Sequence, residues 1–211
     1  MIIERKIIDI FKKNNITLKS KISKDSIGTF ISFDLETSSE DKFFFLIYDQ
    51  FDTNIIRLAS IKKCTGIRTS DIIKILISTF KEGLGNKTSF QLGDTSKLKY
   101  FSEADSIYIS LSKIFILSRG ITWYESLGFT NLSRKNNEDK INNYICRKSN
   151  YDNNLQIKDH VKFLIKELKK IDPNNREQKE KVCGIKHIID NLYQELEDLT
   201  GEIHYQHFLD K

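Results

Sequence analysis

Residues 42–94 read KFFFLIYDQFDTNIIRLASIKKCTGIRTSDIIKILISTFKEGLGNKTSFQLGD. The first run, from Lys42 to Gln50, is apolar almost throughout and predicts a strand lying centrally in a sheet. A turn cluster ending at Asn54 separates it from a second β-branched run that ends near Lys63. After Cys64, Thr65 and Gly66 the period changes, and Ile72, Ile73, Leu76, Ile77 and Phe80 recur at three and four. That spacing predicts a helix capped by Thr69 or Ser70 and ended by the stretch from Gly83 to Gly85. TSFQLGD, residues 88–94, then reads as one short strand.

Upstream, Ile3, Ile7, Ile10 and Phe11 share a face over residues 2–13, which predicts a first helix. ITLKSKI (16–22) and TFISFDLE (29–36) add two strands, so the chain before Gly66 reads as an antiparallel meander of three or four strands. Downstream, residues 103–118 fit a helix through Ala104, Ile107, Leu111, Ile114 and Phe115 and a strand through Ile107, Ile109 and Leu111; their length favours a helix. A short amphipathic segment surrounds Trp123, Leu127 and Phe129, with Gly128 placed to end a helical turn. Residues 130–154 are polar and Asn-rich, a hairpin or loop with one strand-like piece, NNYICRK. Two helices follow, over 155–171 and 177–200. In the second, Val182, Ile185, Ile189, Leu192, Leu196 and Leu199 form a coiled-coil-like seam. The expected organisation is an α+β domain over residues 1–150, with a mixed, mainly antiparallel sheet and flanking helices, followed by a C-terminal helical hairpin over 151–211.

The 211 residues suit one domain with an appendage. The chain holds 32 Ile against 2 Ala and 2 Val, so Ile loses its usual value as a strand marker and periodicity decides instead. The net charge of +5 divides unevenly: 24 basic and 17 acidic residues lie in 1–150, against 10 and 12 afterwards. The basic residues are interspersed with acids and no nucleic-acid motif accompanies them, so a small polyanion explains the sign better than DNA or RNA. Cys64, Cys146 and Cys183 are odd in number and form no CxxC, which fits a reducing, cytoplasmic setting. No apolar run is long enough for a membrane span. Cys183 and His187 at i and i+4, with His204 and His207 near the C-terminus, are faintly zinc-like, but no second paired loop completes a set and no metal site is expected.

At Tyr124-Glu125-Ser126-Leu127-Gly128-Phe129 the chain resembles the YxxLGF helix end of the GNAT family of acyl-CoA-dependent N-acyltransferases. The likeness also follows the order of elements over roughly residues 1 to 150, at that level only. It implies an acetyl-CoA or other acyl-CoA donor and an amine acceptor. Tyr124 would protonate the departing thiolate. Lys63, Thr65, Gly66, Ile67, Arg68, Thr69 and Ser70 occupy the place of the family's pyrophosphate loop. Arg68 stands where the family has a small residue, so its side chain would either block the pyrophosphate or bind it. Glu36 and Asp49 end strands where a general base could sit, and neither is singled out. The segment between Leu92 and Tyr124 is longer than the family's, so it would either cover the acceptor cleft or fill the cofactor groove. The competing expectation is a noncatalytic scaffold that forms a homodimer or binds a protein partner through residues 177–200.

Overall fold

The computed structural model of the chain describes residues 2–24, 28–35, 42–49, 55–61, 68–83, 89–93, 97–101, 103–172, 175–201 and 206–209. It is an α+β structure of two compact units. The first comprises Met1–Gly93, Leu127–Thr130 and Gln206–Lys211, and the second Asp94–Ser126 and Asn131–Tyr205. Residue 150, where the sequence places a boundary, lies in the turn between two short strands of the second unit.

The first unit opens with helix α1 (Ile2–Lys13). The helix ends where Asn15 takes a left-handed φ of 60°. The Ile16 amide then donates back to the Phe11 carbonyl at 2.9 Å and the Asn15 amide to that of Lys12 at 3.0 Å. This is a Schellman closure with Asn in the position Gly usually takes. Strands β1 (Leu18–Lys24), β2 (Gly28–Leu35), β3 (Lys42–Asp49) and β4 (Ile55–Ile61) form the expected antiparallel meander. Helix α2 (Thr69–Gly83) then carries the chain to β5 (Ser89–Gly93), which pairs with β4 in parallel. After the second unit, β10 (Gln206–Leu209) returns to pair antiparallel with β5, giving the sheet order β1-β2-β3-β4-β5-β10. Ile7 and Phe11 of α1, Ile31 and Phe33 of β2, and Ile72, Ile73 and Leu76 of α2 are all buried. The alternation Ile31-Ser32-Phe33 and the three-four spacing on both helices are what bury them.

The second unit begins with the hairpin β6 (Lys97–Tyr100) and β7 (Ile107–Ser110), followed directly by α3 (Leu111–Arg119). The single helix expected over 103–118 is therefore a strand and a helix. Ile107 and Ile109 are buried on either side of exposed Tyr108, and Ser110 then caps α3 by accepting from the Lys113 amide. Ile satisfies both periods equally, which hid the junction. Helices α4 (Leu132–Asn136) and α5 (Glu138–Ile145) replace the expected loop or hairpin at the start of the Asn-rich stretch. The piece expected to be a strand supplies Tyr144 and Ile145 to the core, and Ile141 just before it joins them at helical spacing. A hairpin, β8 (Lys148–Ser149) with β9 (Asp152–Gln156), leads into α6 (Ile157–Lys169) and α7 (Lys179–Thr200). Both helices share one core with β7, α3 and α5. The α7 seam lies inside it: Val182, Ile185, Ile189, Leu192 and Leu196 are 0–6% exposed, and Leu199 alone of the seam is 43% exposed. Among the described residues no helix is long and apolar enough to cross a membrane.

Candidate functional site

In the first unit the sheet changes character at the end of β4. Its parallel pairing with β5 runs from Ile55↔Ser89 to Leu58↔Leu92, while β4 itself continues to Ile61. At the same level its register with β3 slips: Leu46 faces Leu58 but Phe45 faces Ser60, so Ala59 is the extra residue of a β-bulge. A bulge bends and twists its strand, and bulges concentrate beside functional sites. The described residues resume at Arg68, just before α2. The Arg68 carbonyl accepts from the amides of Asp71 at 2.9 Å and Ile72 at 3.2 Å. Arg68 therefore takes the cap position, and Thr69 and Ser70, expected as caps, lie in the first turn. Arg68 is exposed and Ser70 half-buried. Lys63, Thr65, Gly66 and Ile67 lie outside the described residues, as do Glu36 and His204. Amides in the first turn of a helix have no carbonyl partner within it, and together they favour an anion.

Tyr124 belongs to the second unit, in the segment that leaves α3. Gly120 ends that helix in the left-handed region at φ 74°, its amide donating to the Ile116 carbonyl at 2.8 Å. A capping box follows. The Thr122 hydroxyl accepts from the Glu125 amide at 3.2 Å, and the Glu125 carboxylate accepts from the Thr122 amide at 2.8 Å. The other carboxylate oxygen of Glu125 takes Arg134 Nε at 2.7 Å, with both side chains less than a tenth exposed. Asn131, fully buried, accepts from the Arg134 amide at the start of α4. Between these anchors Tyr124 is 7% exposed, and its ring meets that of Trp123 at 4.9 Å in a tilted arrangement. The Thr-x-x-Glu spacing of Thr122 and Glu125 is visible in the sequence and signals the box. The buried partner Arg134, nine residues on, has no such local signal.

Of two further arrangements, the first had no place in the expectations and the second concerns the pair Cys183 and His187, read from the sequence as faintly zinc-like. Ser149 and His160 are buried, and the Ser149 hydroxyl lies 2.8 Å from His160 Nδ1. The Ser149 oxygen also accepts from the Tyr151 amide at 3.3 Å. Burial lowers the His160 pKa below the ordinary 6.5, with the Asp152 carboxylate opposing that shift. On α7, Cys183 and His187 do share one exposed face, where the Asn191 amide reaches both His187 Nε2 at 3.0 Å and the Tyr151 hydroxyl at 2.7 Å. Among the described residues no group of three His, Cys, Asp or Glu side chains could hold a metal ion. No protein-family model, curated protein or solved structure matches the chain.

Proposed function

We propose that this chain is a GNAT-like N-acyltransferase that moves an acyl group from acyl-CoA to an amine. The observation that carries the reading is the end of β4, where the bulge at Ala59 coincides with the last β4–β5 pair and the crossover helix α2 follows. A parallel pair inside an otherwise antiparallel sheet, followed by its crossover helix, would suit an extended ligand whose pyrophosphate meets the start of that helix. Lys63, Thr65, Gly66, Ile67 and the first turn from Arg68 to Ser70 would hold that pyrophosphate through backbone amides and basic side chains.

In this reading the amine attacks the thioester carbonyl, and the tetrahedral adduct expels a thiolate. Tyr124 supplies the proton, since a phenol with an ordinary pKa of about 10 remains protonated at neutral pH. Isothermal titration of the full chain with acetyl-CoA tests the reading. Saturable heat that weakens in Arg68→Glu is expected, and the absence of heat at millimolar ligand ends it. The noncatalytic alternative acting through residues 177–200 has less to stand on, because the seam that suggested it is occupied by the chain's own core.

A further inference from the structure

Ser106, with Ile107 and Tyr108 of β7, and Cys183, Lys186, His187 and Asp190 on α7 line an open, shallow pocket of about 380 Å³ within the second unit. That size is sufficient for a small molecule. The four α7 residues fall at i, i+3, i+4 and i+7, so one stripe of the helix offers a thiol, an ammonium, an imidazole and a carboxylate.

Lys186 and Asp190 of this stripe balance each other, and Lys113 of α3, paired to the same Asp190, adds the charge that makes the group cationic. Asp190 accepts from Lys113 at 2.8 Å and from Lys186 at 2.5 Å. The two lysines share this one carboxylate, so one unit of positive charge is left over, and the hydrogen bonds from both outweigh burial to hold Asp190 below the usual carboxylate range. Each ammonium has three donors. The carboxylate is thus committed, while Lys186 retains donors on the pocket wall. Opposite lies an apolar surface, with the Tyr108 residue 47% exposed. A ligand suited to these walls carries an anionic group and an apolar body. The pocket's covalent nucleophile is the Cys183 thiol, which is free and exposed. Cationic, partly exposed surroundings are where reactive cysteines are found.

We infer that this pocket captures small anionic disulfides and that Cys183 forms a mixed disulfide with them. The Cys183 thiol loses its proton to solvent, and its sulfur attacks one sulfur of the disulfide. A new S–S bond forms as the old one breaks, and the second half leaves as a thiolate that takes a proton from water. Cys183 is oxidised and the leaving half reduced, so the disulfide supplies the whole of the oxidation. The inference uses the second unit alone and stands or falls separately from the acyl-transfer reading.

The test is the rate of Cys183 modification in a Cys64→Ser, Cys146→Ser background. It compares the anionic disulfide dithiobis(nitrobenzoate) with neutral dithiodipyridine, folded and in urea. The expected anionic-to-neutral rate ratio is about fivefold higher in the folded chain than in urea, the size of one nearby unit charge in water. Lys186→Gln and molar salt should both remove that excess. A ratio unchanged by folding, or unchanged by Lys186→Gln, overturns the inference. If the double-serine background does not fold, the parent chain is labelled substoichiometrically with oxidised glutathione and mapped by peptide mass. Lys186→Gln should then reduce labelling at Cys183 and leave Cys146 as before. An equal fall at both, or no fall, overturns it.

Discussion

Arg134 is buried with a formal charge, and its cost is met by a specific set of acceptors: Glu125 at 2.7 Å, and the Gly120 carbonyl and Glu138 each at 3.5 Å. Glu125 in turn holds the Thr122 amide, so one ion pair fixes both ends of the turn that carries Tyr124. Removing one member of such a pair leaves the other charged and buried, which costs about 3–5 kcal/mol, whereas replacing both by apolar groups is often neutral. Arg134→Met should therefore lower unfolding free energy by about 3 kcal/mol, and Glu125→Leu with Arg134→Met should recover most of that loss. Urea titration of both variants checks this, and equal losses would mean that packing rather than charge dominates. The Tyr124 motif and the capping box are short-range patterns and could be read directly from the sequence. The Arg134 pairing depends on how α4 returns to the turn, which no spacing rule encodes.

Among the elements, α6 and α7 were legible because long amphipathic periods bury one face, and the periods survive the Ile bias. The junction of β7 and α3 was not, because Ile107, Ile109 and Ile114 serve a two-residue and a three-to-four-residue period alike. Gly184 interrupts α7, and a Cβ added there meets nothing within 4 Å. Glycine inside a helix costs about 1 kcal/mol relative to alanine, so Gly184→Ala should stabilise by roughly that amount, seen as a higher melting temperature. The Ser149–His160 bond joins β8 to α6 and brings a pH dependence. Burial depresses the folded-state imidazole pKa below the ordinary 6.5. As pH falls below that value the unfolded chain binds a proton that the folded chain refuses, so stability declines until the folded-state pKa is reached and then levels. Melting temperatures across that window should fall less in His160→Asn than in the parent, and equal slopes would assign the effect to other groups.

For the whole molecule, the meander, the crossover helix and β5 are consecutive in sequence and their order could be read from it. The strand β10 could not, because its partner Leu92 lies more than a hundred residues before His207 and only the folded chain brings them together. The second unit is thus inserted between the last two strands of the first unit's sheet, and the first unit closes only when residues 206–209 pair with 90–93. This connectivity makes a prediction about truncation. Ending the chain after Gly201 removes β10 and leaves β5 as an edge carrying unpaired backbone groups, a template for pairing with another chain. The core formed by β7, α3, α5, α6 and α7 contains none of the deleted residues. Hydrogen exchange followed by mass spectrometry should therefore show faster exchange in β4 and β5 of the truncated chain, with protection in α6 and α7 unchanged. Truncation should also raise the tendency to aggregate. Uniform loss of protection across both units would show instead that they unfold as one cooperative body, with β10 needed by the entire chain.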